Sequence, residues 1–252
     1  MTDLRDRIAL VTGAGKGLGA VIARRLASEG ATVAVLGRTQ ASIDAIAKEI
    51  GGRAFACDVT DAAQVDTALA GVKKELGDVS ILVQNAGLAE SAPLARTTDA
   101  MLERHLALNV SAPLRMARLL VPAMVAAKSG TIVHVASTAG LEGFAYCTAY
   151  CASKHALVGL TRAMATELAK TGVTVNAVCP GFLEGTDMTN AAIDRIVEKT
   201  GRSREEAAAE LGAMNPQKRL IRPAEVADVV SMLCSASGRG ITGQALSIGQ
   251  VT

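Results

Sequence analysis

The sequence predicts an α/β protein built on a doubly wound, seven-stranded parallel sheet with helices on both faces. Short β-branched runs alternate with longer alanine-rich amphipathic stretches, the pattern of successive βαβ units. The first run leads into Thr12-Gly-Ala-Gly-Lys-Gly-Leu-Gly19, a glycine-rich turn between a strand and a helix. The 6 prolines and 24 glycines are scattered, so the 252 residues read as a single domain with a sizeable core and no linker.

In chain order, strands are expected near 7–12, 32–36, 53–56, 79–84, 131–135, 174–178 and 245–248, each a short apolar or β-branched run such as Thr-Val-Ala-Val-Leu at 32–36. The alanine-rich stretches between them predict helices over 18–28, 40–49, 62–76, 98–126, 150–171 and 223–235. The stretch 183–217 breaks the alternation: Arg195 to Gly212 reads as helix, with polar loops on each side. Because it follows a strand end, where such folds bind ligands, it is expected to be a substrate lid, the alternative being a surface helical hairpin.

Composition excludes several functions. Twenty-six basic against 24 acidic residues leave a net charge of +2, which suggests neither a nucleic-acid surface nor an acidic partner. No apolar run reaches the roughly 18 residues of a membrane span, so a cytoplasmic enzyme with a small-molecule substrate is expected. Cys57, Cys147, Cys151, Cys179 and Cys234 are odd in number and widely spaced, and read as reduced, partly buried thiols. His105, His134 and His155 show no metal-ligand spacing.

Gly13, Gly15, Gly17 and Gly19 let backbone approach a pyrophosphate at the positive N-terminus of the following helix, which Lys16 and Leu18 flank. An enzyme that uses NAD places an acid at the end of the second strand to bind the ribose 2′-hydroxyl. Here the chain reads Val35-Leu-Gly-Arg38. With Gly37 in place of the acid, Arg38 and Lys16 offer two cations to a 2′-phosphate, which predicts NADP(H) over NAD(H). Alternatively, Arg38 stacks on adenine and Lys16 is a solvated loop cation.

Tyr150 and Lys154 lie four residues apart, on one face of a helix, where the ammonium favours the phenolate and lowers the tyrosine pKa. That makes Tyr150 a candidate proton donor, with Ser137 thirteen residues upstream.

Together with Asn85-Ala86-Gly87, Asn109 and Pro180-Gly181, in this order, these motifs give a chain that resembles a classical short-chain dehydrogenase/reductase nearly end to end, most like the 3-oxoacyl-thioester reductases. The resemblance implies a Rossmann fold in which Tyr150 exchanges a proton with the substrate oxygen while hydride moves to or from the nicotinamide. It implies that Ser137 orients that oxygen, that Lys154 holds the nicotinamide ribose, and that Asn109 keeps a water connecting Lys154 to solvent. Asp58-Val59 resembles the family's adenine contact, although Asp58 is equally suited to cap the helix starting near Ala62. Asn85-Ala86-Gly87 resembles the turn beside the ribose, and Pro180-Gly181 opens the segment over the carboxamide. The family's frequent homotetramer would pair the helices at 98–126 and 150–171 across subunits.

The chain departs from the family at Gln84, at Thr186, which falls one residue later than usual, and at the C-terminus, where Gln244 to Thr252 lacks an Asp-Gly-Gly ending. Leu88, Leu141, Phe144, Phe182 and Leu183, with Ser137 and Tyr150, are the expected substrate lining, which suits an apolar ketone or alcohol better than a sugar. Arg202, Arg204, Lys218 and Arg219 either meet the phosphates of a thioester carrier or form a solvated face with Glu198, Glu205, Glu206 and Glu210. The expected activity is NADP(H)-dependent reduction of a 3-oxoacyl thioester or other apolar ketone. The alternatives are an NAD(P)-dependent dehydrogenase of a cyclic, aromatic or steroid-like alcohol and a catalytically silent dinucleotide-binding subunit.

Overall fold

The computed structural model describes residues 3–249. Its strands are β1 (Ile8–Thr12), β2 (Thr32–Gly37), β3 (Arg53–Ala56), β4 (Ile81–Gln84), β5 (Gly130–Val135), β6 (Val173–Pro180) and β7 (Ala245–Ile248). They form one wholly parallel sheet in the order β3-β2-β1-β4-β5-β6-β7. Parallel neighbours require a crossover between them, and the crossovers cover both faces, so central strands are apolar on both sides. All six residues of β5 are buried.

Strand alternation divides the core in two. Val11, Val35, Val83, Val133 and Val178 meet Leu18, Ile22 and Leu26 of α1 (Gly17–Ser28) and Ile43 of α2 (Gln40–Ile50). Leu10, Leu36, Leu82, Ile132 and Val175 meet Val65 and Val72 of α3 (Ala62–Glu75) on the other face. The chain first winds outward from β1 to β3 and then restarts at β4 on the opposite side of β1. That reversal opens a crevice beyond the carboxyl ends of β1 and β4, where ligands bind in such folds.

Two expected helices are each divided. The 98–126 stretch is α4 (Asp99–Leu106), a π turn over Ala107–Ser111, and α5 (Ala112–Ala126). Pro113 has no N–H to offer the carbonyl of Asn109 four residues back, so regular α-helical bonding fails there. After α6 (Thr148–Leu168), the 195–212 stretch is two helices, α7 (Asp187–Thr200) and α8 (Arg204–Met214). Gly201 ends α7 at φ 69°, and Ser203 begins α8 in a capping box with Glu206. Last comes α9 (Pro223–Cys234), which packs Val226, Val230 and Leu233 on the α1 side of the sheet. Residues 250–252 of the expected C-terminal departure lie outside the described residues.

Candidate active site

The glycine loop is shaped by close packing. Gly13 and Gly17 adopt φ of 64° and 54°, in the left-handed region that favours glycine. A Cβ on Gly19 would collide with the Gly13 carbonyl and lie 2.5 Å from Asn85 Nδ2. Asn85 Nδ2 donates to the Thr12 carbonyl at 3.0 Å, while the Asn85 and Ala86 amides each donate to Thr12 Oγ1 at 3.0 Å. Thr12 thus joins the ends of β1 and β4 across the switch point, a role the sequence reading missed because a strand-end threonine carries no distinctive pattern. No side chain caps α1, so its N-terminal amides are left for a ligand. This cradle fits a dinucleotide pyrophosphate.

At the end of β2, a Cβ on Gly37 would lie 2.8 Å from Ile43 Cγ2, and Ile43 is fully buried. Arg38 is exposed and close enough to Asp58 to help lower its pKa, although the bond from Thr60 Oγ1 is the larger cause. Asp58 accepts from the Thr60 amide and Oγ1 at 2.9 and 2.7 Å. The cap of α3 is Asp61, which accepts from Ala63 and Gln64, so the capping alternative for Asp58 is overturned. Val59 is buried beside it.

Ser137 lies two residues beyond the end of β5, and its Oγ accepts from the Ala139 amide at 3.1 Å. Tyr150 is the third residue of α6, near enough to the Ser137 hydroxyl for that group to pull its pKa down. One turn on, buried Lys154 donates to the Val135 carbonyl at 2.8 Å, and its Nζ lies 5.7 Å from the centroid of the Tyr150 ring. Gly140 permits this packing, since a Cβ there would sit 2.7 Å from the Lys154 carbonyl.

The expected depression of the Tyr150 pKa by Lys154 is not found. Burial pushes the Tyr150 hydroxyl up to about 12, with the Ser137 hydroxyl pulling the other way. Burial also lowers the Lys154 ammonium to about 8. In both groups the loss of solvation is the largest influence, and Nζ is bonded to the Val135 carbonyl with the Tyr150 ring, not its hydroxyl, beneath it.

Asn109 sits in the π turn, fully inside the protein. Its Oδ1 accepts from the Leu88 amide at 3.1 Å, and its Nδ2 donates to the Leu88 carbonyl at 3.1 Å and Ser153 Oγ at 2.9 Å. A Cβ on Gly87 would lie 3.1 Å from Asn109 Oδ1 and 3.6 Å from Lys154 Nζ, so the bare glycine keeps this junction open. Ser153 was not anticipated.

The expected substrate lining separates. Phe144 and Phe182 meet edge to face with centroids 6.3 Å apart. Leu141 packs with Leu157 and Val158, whereas Leu183 packs on the α1 side of the core and bridges to Ile221. Pro180 ends β6, and Gly181 passes against the buried Asn215, on which a Cβ would collide. Asn215 accepts from the Phe182 amide at 3.1 Å and donates to the carbonyls of Phe182 and Arg219 at 3.1 and 2.7 Å, closing both ends of the 183–217 segment. Thr186 caps α7 by accepting from the Thr189 amide at 3.3 Å. Arg202, Arg204 and Arg219 pair with Glu210, Asp194 and Glu225, which favours the solvated-face alternative for this cluster.

The three histidines have structural partners. His105 lies between the Met101 carbonyl and the Glu90 amide, with its ring edge-on to Tyr150 at 6.2 Å. His134 and His155 bond Thr161 and the Cys151 carbonyl. All five cysteines are free, and burial pushes Cys57 and Cys179 up to about 11. Among the described residues no group of His, Cys, Asp or Glu is placed to hold a metal ion, and no helix is long and apolar enough to cross a membrane.

Comparison with known proteins agrees with this geometry. Residues 7–197 match the family model described as short chain dehydrogenase. The chain is 37% identical over 248 residues to granaticin polyketide synthase putative ketoacyl reductase 1 of Streptomyces violaceoruber, covering 96% of this chain and 91% of that one. It is 36% identical to the 3-oxoacyl-[acyl-carrier-protein] reductase FabG of Vibrio harveyi, covering 98% and 97%. A crystal structure of an actinorhodin polyketide ketoreductase variant with NADPH superposes with a TM-score of 0.92 at 35% identity, covering 98% and 97%. With the glycine cradle at the switch point and the Ser137, Tyr150 and Lys154 cluster beside it, the chain belongs to the short-chain dehydrogenase family of oxidoreductases.

Proposed function

We propose that this protein transfers hydride between NADP(H) and a carbonyl or secondary alcohol, a 3-oxoacyl thioester or another apolar ketone, with Tyr150 as proton donor and acceptor. The observation that carries the proposal is the Ser137 and Tyr150 hydroxyls brought together at the carboxyl end of β5, with Lys154 one helical turn away over the Tyr150 ring. When bound, the nicotinamide cofactor supplies or takes up the hydride. Ser137 and Tyr150 hold the substrate oxygen between two hydroxyls, so that Tyr150 delivers its proton as negative charge develops there. Lys154 holds the nicotinamide ribose, and Asn109 fixes the Leu88 loop and α6 around it.

For the cofactor, Gly13, Lys16, Gly17, Leu18, Gly19, Asn85, Ala86 and Gly87 form the cradle, Asp58 and Val59 the adenine side, and Pro180-Gly181 the nicotinamide side. Gly37 provides no carboxylate for a 2′-hydroxyl, and its packing on Ile43 leaves no space for one. Arg38 and Lys16 are the cations for a 2′-phosphate, and the NADPH in the actinorhodin ketoreductase supports this choice.

For the substrate, the ketoacyl and 3-oxoacyl reductases among the relatives support a thioester. The Phe144–Phe182 pair favours a second reading, a cyclic or aromatic ketone packed against the outer side of the two rings. The 183–217 segment acts as the lid. A homotetramer formed through α5 and α6 is supported by Leu114 and Leu119, which are exposed on α5.

The test is NADPH oxidation, with NADH in parallel, against 3-oxoacyl thioesters and cyclic ketones, using Tyr150→Phe as the blank. Turnover with NADPH that disappears in the variant is expected. Preference for NADH refutes the cofactor choice, and dinucleotide binding without turnover on any ketone returns the silent-subunit alternative.

A further inference from the structure

The ammonium that the cofactor reading gives to the 2′-phosphate is already engaged. Lys16 occupies the N-cap position of α1, and its Nζ lies 2.6 Å from Asp187 Oδ2. Asp187 is the first residue of α7, so this ion pair ties the glycine loop to the opening turn of the 183–217 segment. Both side chains are largely exposed, at 76% and 73%, which makes the pair weak and exchangeable. Asp187 has a second source of stabilisation, because a carboxylate in the first turn of a helix faces the positive end of its dipole. A lysine Nζ is a point charge, and a phosphate with two negative charges draws it more strongly than one carboxylate.

We infer that Asp187 is a specificity-determining residue that competes with the 2′-phosphate of the cofactor for Lys16. The inference rests on the NADP(H) reading above. In one state Lys16 holds the first turn of α7 against the glycine loop. In the other, Lys16 is on the phosphate and that turn is released. The coupling is reciprocal, so binding of the 2′-phosphate loosens the segment by the same factor that the ion pair weakens the phosphate. The pyrophosphate beside Lys16 is common to both cofactors and only NADPH adds the 2′-phosphate, so the effect of the 2′-phosphate discriminates between NADPH and NADH.

The experiment measures NADPH and NADH dissociation constants by cofactor fluorescence for the full chain, Asp187→Asn, Lys16→Gln and the double variant. Asp187→Asn is expected to tighten NADPH by about two- to five-fold, the range open to an exposed ion pair, and to leave NADH unchanged. The gain should shrink at high salt and vanish when Lys16 is already Gln. Where Lys16→Gln weakens NADPH, the inference alone is overturned by any of three results for Asp187→Asn: no change, equal tightening of NADH, or a gain that persists in the double variant. Lys16→Gln leaving NADPH affinity unchanged removes Lys16 from the phosphate and overturns the inference, with Arg38 left to carry the cofactor preference. Wild-type protein that binds NADH more tightly than NADPH overturns both readings.

Discussion

Replacing Lys154 with methionine should abolish turnover and yet stabilise the fold near neutral pH. Lys154 is 4% exposed, and burial lowers its ammonium to about 8 from the ordinary 10.5. A difference of that size is about 3 kcal/mol. The unfolded chain holds this proton more tightly than the folded one, so the charged side chain opposes folding at full strength below pH 8. The opposition fades as pH rises from about 8 to 10.5. Methionine keeps the length of the side chain and removes the charge, but leaves the Val135 carbonyl without its donor, which costs about 1–3 kcal/mol. Near pH 7 the variant is therefore more stable by about 0–2 kcal/mol.

By about pH 9.5 the wild type has recovered roughly 2 kcal/mol, and the lead of the variant shrinks by that amount. For a chain of 252 residues this is a relative change in Tm of roughly 4–8 °C. Tyr150, raised to about 12, and Cys57, raised to about 11, lose their contribution as pH climbs past their ordinary values, and this loss is common to both proteins. Circular-dichroism melts of both proteins across this pH range provide the comparison. A Tm difference that stays constant with pH would show that Lys154 is solvated in the folded protein and would refute the reasoning.

In ketone reduction, kcat/KM should fall as pH rises through about 8, where Lys154 loses its proton in the free enzyme; a profile flat past about pH 10 would remove Lys154 from the proton path. Gly19→Ala should lose dinucleotide binding and about 1–3 kcal/mol of stability, because the Gly13 carbonyl and Asn85 amide cannot both yield. Gly143→Ala, with nothing within 4 Å of the new Cβ, is its near-neutral control in the same fluorescence titration and melt. Asn215→Ala removes three hydrogen bonds at the base of the 183–217 segment, so hydrogen exchange there should accelerate ahead of the sheet, and KM should rise by more than kcat falls.

The centre of the sheet was legible because its strands are short, apolar and buried on both faces, so the run itself marks the strand. The helix interruptions were harder to read. Alanine-rich periodicity continues through 107–111 and spans Pro113, an interior proline of the expected 98–126 helix that becomes a first-turn proline only because α5 restarts at Ala112. The break between α7 and α8 did leave a local signal, Gly201 followed by Ser203-Arg-Glu-Glu206, which is a helix stop and a capping box in succession. Asp58 and Asp61 both lie within four residues of Ala62, and only the structure decides which one caps α3. The sequence placed Tyr150 and Lys154 on one helical face, but it contained no measure of their burial, and burial sets both pKa values. Asn215 and Thr12 act through contacts 33 and 73 residues away, beyond the reach of any local pattern.

These buried polar groups share one physical logic. The cost of keeping Lys154 charged is comparable to the stabilisation from one or two fully buried leucines, and the sheet supplies many such residues, Leu10, Leu36 and Leu82 among them. What the fold must add is alignment, since a charge in a low-dielectric site is useful only if it cannot swing away. Val135 fixes Nζ from the sheet, and the turn at Ser137–Gly140 lies on α6 because Gly140 has no side chain. Asn109, held in the π turn, bonds both the Leu88 loop and Ser153 of α6. A regular helix through 107–111 would rotate Asn109 relative to α4, so the irregular turn that the periodicity concealed is what lets one buried side chain join the loop after β4 to the helix that carries Tyr150.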